Sequence, residues 1–556
     1  MSLRHLILTT GLLLGLAGAA TAATSPTPPA PARPLYPLYS PFFGGRHEFT
    51  PEDLRAIAEN FDFVYGQALT AAEMTVARQI APDLKFLRYV GNWAVGGRDT
   101  ERDLRSRILY YEAARLGADL DAAATEFVLA PAAGRALLFK PSTTPDDYSV
   151  DGESYVTWLR VGDEFMRIDG WDQATRRVQV RRGFAGTAAA VHAAHAPVLH
   201  PAYSSVPGRG RISYLYDPAY PDRWTSVLRS LTDFTGAGGD GIWIDILMAS
   251  TLGDSDVGGT RLRGVNAESE AGDLFVWDFA HQRAYTRDAF RRRTERQVRM
   301  IQEQFRARTG RAPLIYGNNM YYTEYTAAGG ATWHYLVPTP EKPEPVAGMC
   351  IEDYMGGYDA TLWSNYSRRG EVVPPPKASF GPHTYRNWCL NQGMLAECAQ
   401  RGLPAVPLIL NAGMKTAIFE KLDRATRHDW ERWAYASYLL CVEVRDGRCV
   451  TKLGVPMFYF DAGKRHVDID PMYRWPIGTP AETKPAARFD DYKLAGTGVY
   501  ARRFTGGTVL VNPGAVAESV ALPEPLWHPD TGEKTSRLTL PPQTGLVLLQ
   551  APLPGR

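Results

Sequence analysis

At 556 residues, 45% of them hydrophobic and 22% charged, the chain has the composition of a soluble globular protein and the length of roughly two to four domains. A net charge of +1 excludes the broad basic footprint that binding to nucleic acid or an anionic membrane surface selects for. The 13 Trp and 28 Tyr are a heavy aromatic load, of a kind that core packing and sugar-stacking clefts both use.

The first segment reads as an export signal. Arg4 and His5 precede an apolar run from Leu6 to Ala17, and Ala20-Thr21-Ala22 supplies an A-x-A cleavage pattern. The run is too short for a permanent membrane span, and no Cys follows it to carry a lipid. A signal peptide is therefore expected over 1–22, and a secreted or periplasmic mature chain enters a Pro/Ala/Ser/Thr-rich linker over 23–40. Export makes disulfides possible among Cys350, Cys389, Cys398, Cys441 and Cys449. The pairs 389/398 and 441/449 could each close a short loop, but spacing does not fix connectivity. No His/Cys cluster has zinc spacing, and no metal or organic cofactor is expected.

Beyond the linker, short apolar strands alternate with amphipathic helices. Strands are expected at Phe61–Gly66, Leu84–Val90, Ile212–Asp217, Gly238–Met248, Pro313–Asn318, Val346–Glu352, Val406–Asn411 and Pro456–Phe460. Thr50-Pro51-Glu52-Asp53 opens a helix with cap chemistry. Further helices are expected over 99–116, 224–234, 286–308, 385–400 and 425–442. Eight strands with intervening helices predict an α/β fold, a (β/α)8 barrel over 41–482. Two segments break the alternation. Residues 122–203 read as an inserted small β module, and 484–551 read as a C-terminal antiparallel β-sandwich built on hairpins such as the one around Gly506-Gly507.

Barrel enzymes carry their chemistry just beyond the C-terminal ends of the strands. Those positions hold Tyr65, Trp93, Asp217, Asp245, Asn318, Glu352, Asp353 and Asn411. Cleaving a glycosidic bond needs one carboxyl group to protonate the leaving oxygen and another to attack or to activate water. Asp245 is the candidate nucleophile or base and Glu352 the candidate general acid, since burial raises a glutamate's pKa. Of the adjacent Glu352 and Asp353, strand alternation lets only one point inward. Asp217 precedes Pro218 and either shapes that turn or binds substrate. Asn318 and Asn411 hydrogen-bond sugar hydroxyls or their own loops. Trp93, Trp277, Trp333 and Trp363 are stacking candidates, each also readable as packing. Arg291-Arg292-Arg293 reads as a solvated helix face.

The motifs Phe-Asp-Phe-Val-Tyr-Gly (61–66), Gly-Asp-Gly-Ile-Trp-Ile-Asp (239–245), Ile-Glu-Asp-Tyr (351–354), Leu-Ile-Leu-Asn-Ala-Gly (408–413) and Tyr-Ala-Arg-Arg-Phe-Thr-Gly-Gly-Thr-Val-Leu-Val-Asn-Pro (500–513) together resemble TIM-barrel glycoside hydrolases, the groups related to alpha-amylase-type and polygalactosaminidase-type barrels. The resemblance implies that Asp245 after strand four is catalytic or contacts substrate, that the acid after strand six corresponds to Glu352, and that a β-sandwich follows the barrel. Gly-Asp-Glu-Phe-Met-Arg (162–167) and Arg-Gly-Phe-Ala-Gly-Thr (182–187) resemble small β modules of phage tail and surface proteins, which points to binding. The expectation is a monomeric exported glycoside hydrolase acting on a polysaccharide or oligosaccharide. The alternative is a carbohydrate-binding protein on a degenerate hydrolase barrel. An esterase or deacetylase lacks support, because no Gly-x-Ser-x-Gly elbow is evident.

Overall fold

Eight short strands run parallel in one sheet: β1 Leu38–Phe42, β2 Phe61–Gly66, β3 Lys85–Gly91, β4 Gly241–Asp245, β5 Leu314–Gly317, β6 Gly348–Ile351, β7 Ala405–Pro407 and β8 Leu453–Gly454. The computed structural model describes residues 34, 36, 38–42, 48–66, 69–91, 94–96, 108–131, 149–150, 155–201, 203–206, 211–215, 217, 221–245, 256–257, 260–263, 273–317, 347–351, 388–389, 392–393, 395–396, 398–399, 405–407, 424–445, 448–455, 458–461, 464–482 and 489–555. All belong to the unit Arg33–Arg556.

The spatial order is β7-β6-β5-β4-β3-β2-β1-β8, and every neighbouring pair is parallel. Chain neighbours are thus sheet neighbours, and the last strand returns to the first. The two ends of the sheet, β7 and β8, approach within 8 Å between Cα atoms.

Strands of this kind are buried on both faces, which is why they read as unbroken apolar runs. One face carries Val64, Phe86, Ile242, Ile244 and Ile315 against helices. These are α1 Pro51–Asn60, α2 Ala71–Ile80, α3 Pro221–Gly236 and α4 Arg287–Thr309, which contribute Ile57, Met74, Leu231 and Ile301. The other face carries Phe63, Tyr65, Leu87, Trp243, Tyr316, Cys350 and Val406. The first two helices begin with reciprocal capping boxes. Thr50 Oγ1 accepts from Asp53 N–H at 3.1 Å while Asp53 accepts from Thr50 N–H at 3.0 Å, and Thr70 and Glu73 repeat the arrangement. At the start of β4 the chains come so close that a Cβ on Gly241 would lie 1.9 Å from the Leu314 carbonyl oxygen, so only glycine fits there.

Four expectations from sequence are corrected. Arg211–Leu215 is a strand, but it is antiparallel to Tyr203–Val206 and Ala94–Gly96 and stands outside the parallel sheet. Leu38–Phe42, at the edge of the supposed linker, is β1. Its Pro41 lies beyond the two residues that pair with β8, so no ladder bond on that side is lost. The eighth strand is Leu453–Gly454, and Phe458–Asp461 instead pairs with Lys464–Val467 as a hairpin. Where a helix was expected over 99–116, Tyr110–Leu116 is a strand held between two partners, because pairing overrides a pattern that fits either period. The first two errors cancel in the count, so β4 is still the fourth parallel strand and β6 the sixth.

Between β3 and α3 the chain builds a closed ring of six antiparallel strands: Tyr110–Leu116, Glu126–Pro131, Trp158–Val161, Glu164–Asp172, Arg177–Phe184 and Pro197–Pro201. Its first and last strands pair, so the ring closes where it enters and leaves the fold. Leu116, Leu159, Met166, Ile168, Val178 and Val198 fill it. The wholly buried Glu164 receives Nε and Nη2 of Arg182 at 2.6 and 2.7 Å, His192 Nε2 at 2.8 Å, and the N–H groups of Gly183 and Ala190. Burial pushes the Glu164 carboxyl up, but the hydrogen bonds from Arg182, His192 and the backbone outweigh it and hold it below the usual glutamate value. The two motifs that pointed to binding therefore supply the lock of this module. A second antiparallel sheet joins segments that follow β3 (Ala94–Gly96, Tyr203–Val206, Arg211–Leu215) to segments that follow β4 (Asp256–Val257, Thr260–Arg263), with Tyr203–Val206 beside Thr260–Arg263. The hairpin Asp273–Asp278/Arg283–Thr286 joins the ring through Val276 opposite Tyr111.

The C-terminal residues form an antiparallel unit, one hydrogen-bonded sheet of β9 Tyr500–Phe504, β10 Gly507–Asn512, β11 Glu518–Trp527, β12 Lys534–Leu540 and β13 Thr544–Leu549, ordered β9-β10-β13-β11-β12. It lies on α5 Arg424–Leu440, so tightly that a Cβ on Gly545 would sit 2.6 Å from Ala436 Cβ. Arg502, fully buried on β9, donates through Nη1 to the carbonyls of Leu439, Leu440 and Val442 at 3.2, 3.0 and 2.8 Å, satisfying the end of α5. Arg502→Ala strands these carbonyls, and chemical denaturation should show a loss of about 2–4 kcal/mol. The five cysteines are free thiols. Cys441 donates to Gln392 Oε1 at 2.8 Å and Cys449 to the Thr451 carbonyl at 3.2 Å, so this close pair faces different partners rather than closing a loop. No helix among the described residues is long and apolar enough to cross a membrane.

Candidate active site

A carboxylate residue stands at each end of the β4 run, Asp240 just before it and Asp245 at its close. Asp240 immediately precedes the strand. Its Oδ2 accepts from Arg78 Nη2 at 2.5 Å and from Phe86 N–H at 2.9 Å, and Lys85 Nζ lies 3.6 Å from Oδ1. The Asp240 N–H donates to the Phe86 carbonyl at 2.9 Å. These bonds tie α2, β3 and β4 together at the N-terminal end of the sheet, the end that in barrels serves stability rather than chemistry. Asp240→Asn should lower the unfolding midpoint, by about 1–3 kcal/mol in denaturant titrations, and leave any turnover per folded molecule unchanged.

Asp245 is the last residue of β4, at the opposite end, in register with Gly91 of β3. Two residues before it, Trp243 is wholly buried and forms the centre of an aromatic stack. Tyr65 lies parallel to it at 4.0 Å between centroids, and Tyr316 at 5.8 Å. Phe63 stacks on Tyr316 at 4.9 Å. Burial, helped by the charge of Asp62, pushes the Tyr316 hydroxyl far above its ordinary value and keeps it protonated. The sheet face that leads to Asp245 is thus a dry aromatic floor, and Tyr65 belongs to that floor.

Of the other sequence candidates, Asp217 lies just before α3. Arg293 of α4 approaches it, Nε to Oδ1 at 3.8 Å, while Nη1 of the same guanidinium lies 3.6 Å from Asp278 Oδ1 and the group covers the Tyr285 ring at 5.0 Å. His281 Nδ1 bonds the other oxygen of Asp278 at 2.6 Å. Arg293 is therefore no member of a solvated face. It fastens the segment before α3 to the hairpin that joins the inserted ring. Sequence reading missed this role because three consecutive arginines on a charged helix carry no sign of which one turns inward; the Trp277-Asp278 step ending a strand was the available signal. Trp277 packs with Trp158 and Phe165 in a cluster separate from the residues that fill the ring. Trp93, Asn318, Glu352, Asp353 and Asn411 lie outside the described residues, as do Trp333 and Trp363. In sequence, Asn318 directly follows β5 and Glu352 directly follows β6.

No family model and no curated protein matches the chain. Among solved structures it is similar to the glycoside hydrolase domain of PelA from Pseudomonas aeruginosa, with 13% identity over 78% of this chain and 99% of that one, at a TM-score of 0.32. It is similar also to a family GH13_31 enzyme (11% identity, 93% and 99% coverage, TM-score 0.40) and to the trehalulose synthase MutB from Pseudomonas mesoacidophila MX-45 (9%, 92% and 98%, 0.41). The likeness is to glycoside hydrolases. The chemistry of the site rests on the strand order and on the residues at the strand ends.

Proposed function

We propose that the parallel sheet closes into a (β/α)8 barrel and that the chain is a secreted or periplasmic glycoside hydrolase, cleaving a polysaccharide or oligosaccharide with Asp245 and Glu352. The observation that carries this reading is that β4 ends on Asp245 in a sheet whose sixth strand stops one residue before Glu352. A strand's period of two groups position 245 with Trp243, and extending β6 by one residue groups position 352 with Cys350; Trp243 and Cys350 share one face. That parity favours Glu352 over Asp353 as the inward acid. Two interstrand spacings separate β4 from β6, about 10 Å, and carboxyl groups converging from them fall in the window of roughly 5 to 10 Å that glycosidic cleavage uses.

In this mechanism Glu352 delivers its proton to the leaving oxygen, and Asp245 attacks the anomeric carbon or takes a proton from water. A general acid must hold its proton until the leaving oxygen takes it, and burial of a glutamate favours that protonated form. Asn318 and Asn411 fit as sugar-hydroxyl partners, and Trp93 as a stacking face.

The test is a digestion screen of purified polysaccharides and oligosaccharides, comparing the unmodified chain with Asp245→Asn and Glu352→Gln. Cleavage by the unmodified chain and loss in both variants supports the pair. Activity kept in both variants sinks it. Binding of a glycan without cleavage by any of the three transfers the case to a carbohydrate-binding role for the barrel.

A further inference from the structure

The C-terminal sheet is fastened to α5 at both ends of the helix, by different chemistry. At the C-terminal end the fastener is the Arg502 guanidinium. At the N-terminal end the fastener is an imidazole. His428 Nδ1 bonds Asp470 Oδ2 at 2.6 Å, and Nε2 faces Asp530 Oδ1 at 3.2 Å. Asp470 precedes the short 3-10 turn Pro471–Arg474, whereas Asp530 lies in the turn between β11 and β12. One residue of α5 thus holds two separate segments, and can do so with both nitrogens only when both carry protons.

We propose that His428 is a proton-operated latch, tightening the β11–β12 turn onto α5 when charged and loosening it when neutral. The hairpin is the part of the sheet able to respond, since β11 joins β13 through the single pair Trp527 and Leu549. The latch sits among charged groups on every side. On α5 these are Arg424, Asp429 and Arg432, of which Arg432 pairs with Asp530 through Nη1 and with Asp429 at 2.7 Å. The segment before the 3-10 turn adds Asp468, paired with Arg424 at 3.5 Å. The hairpin turn adds His528 and Glu533, and the Trp475 ring stands edge-on to the imidazole at 6.2 Å.

The two histidines flanking Asp530 are pushed in opposite directions. The hydrogen bond to Asp470 and the facing Asp530 carboxylate outweigh burial and raise His428 from 6.5 to about 9. Burial lowers His528, whose Nδ1 accepts from the Asp530 N–H at 3.3 Å, a bond that needs the neutral ring. The folded-state value of His428 lies above the unfolded one, so its contribution is full below 6.5 and is lost as pH rises through about 9. Arg432 also pairs with Asp530, so a neutral His428 loosens the turn rather than freeing it, and the Arg502 end stays intact.

The test combines an NMR titration of the His428 imidazole with limited proteolysis by an alkaline-tolerant protease, mapping cuts in the 528–534 turn of the full chain. The titration midpoint should fall near 9, and at pH 7 His428→Gln should be cut in the turn about tenfold faster than the unmodified chain. By pH 10 the difference between His428→Gln and the unmodified chain should vanish, whereas Asp530→Asn, which also loses the Arg432 pair, should be cut faster at both pH values. A midpoint at or below 6.5, equal cleavage of His428→Gln and the unmodified chain at pH 7, or a difference between those two that persists at pH 10 would overturn the latch.

Discussion

Asp245→Asn is expected to reduce glycan cleavage by about 10³-fold or more, on the order of 4 kcal/mol of transition-state stabilisation, with no loss of unfolding midpoint. The substitution keeps size and hydrogen-bonding capacity while removing the charge that attacks or deprotonates. Its counterpart at the other end of the same strand, Asp240, is tied to Arg78, Lys85 and the Phe86 N–H. The pair of variants therefore separates two roles that a single short motif carries. Asp240→Asn should move stability and spare turnover; Asp245→Asn should do the reverse. A parallel kinetic and denaturation series on both proteins checks this, and matching effects at the two positions would mean that Asp245 is structural too.

The second large effect belongs to the inserted ring. Arg182→Met leaves Glu164 buried with its bidentate partner gone, and removing one member of a buried pair costs about 3–5 kcal/mol. The loss should be read as a separate early transition in thermal unfolding, because the ring has its own core and closes on itself through Tyr110–Leu116 and Pro197–Pro201. The pH profile follows from the carboxyl. Glu164 is held below its ordinary 4.5 in the fold, so its contribution is present above that value and is lost as pH falls through the lower folded value. Acid should melt the ring of the unmodified chain and leave the already weakened Arg182→Met nearly insensitive. A single cooperative transition with an unchanged midpoint would show that the lock does not hold the module.

Sequence and structure agree where burial dictates composition. The run Gly241-Ile242-Trp243-Ile244 is legible as a strand because both faces are covered, and the Thr50 and Thr70 caps announce their helices. Pairing partners are less legible. Arg211–Leu215 has the composition of a parallel strand, but nothing local distinguishes β3's neighbour in a parallel sheet from an antiparallel edge three residues after β3 ends. β1 is five residues long and contains Pro41, so local chemistry resembles the linker, while long-range pairing with β2 decides the outcome. Within the site, Asp245 and its strand number follow from sequence. The inward turn of Arg293 toward Asp217 and Asp278 does not, since it depends on a hairpin brought back by the inserted ring. Glu164 shows the converse: a motif that suggested ligand binding is consumed by the fold's own ionic lock.

Whether Asp245 and Glu352 face one another across the mouth of the sheet is tested most directly by the separation of their carboxyl groups in a crystal structure with an oligosaccharide bound. The expected separation is roughly 5 to 10 Å with the scissile oxygen between them; carboxyl groups on opposite faces of the sheet, or well beyond that window, would contradict their pairing as acid and nucleophile or base.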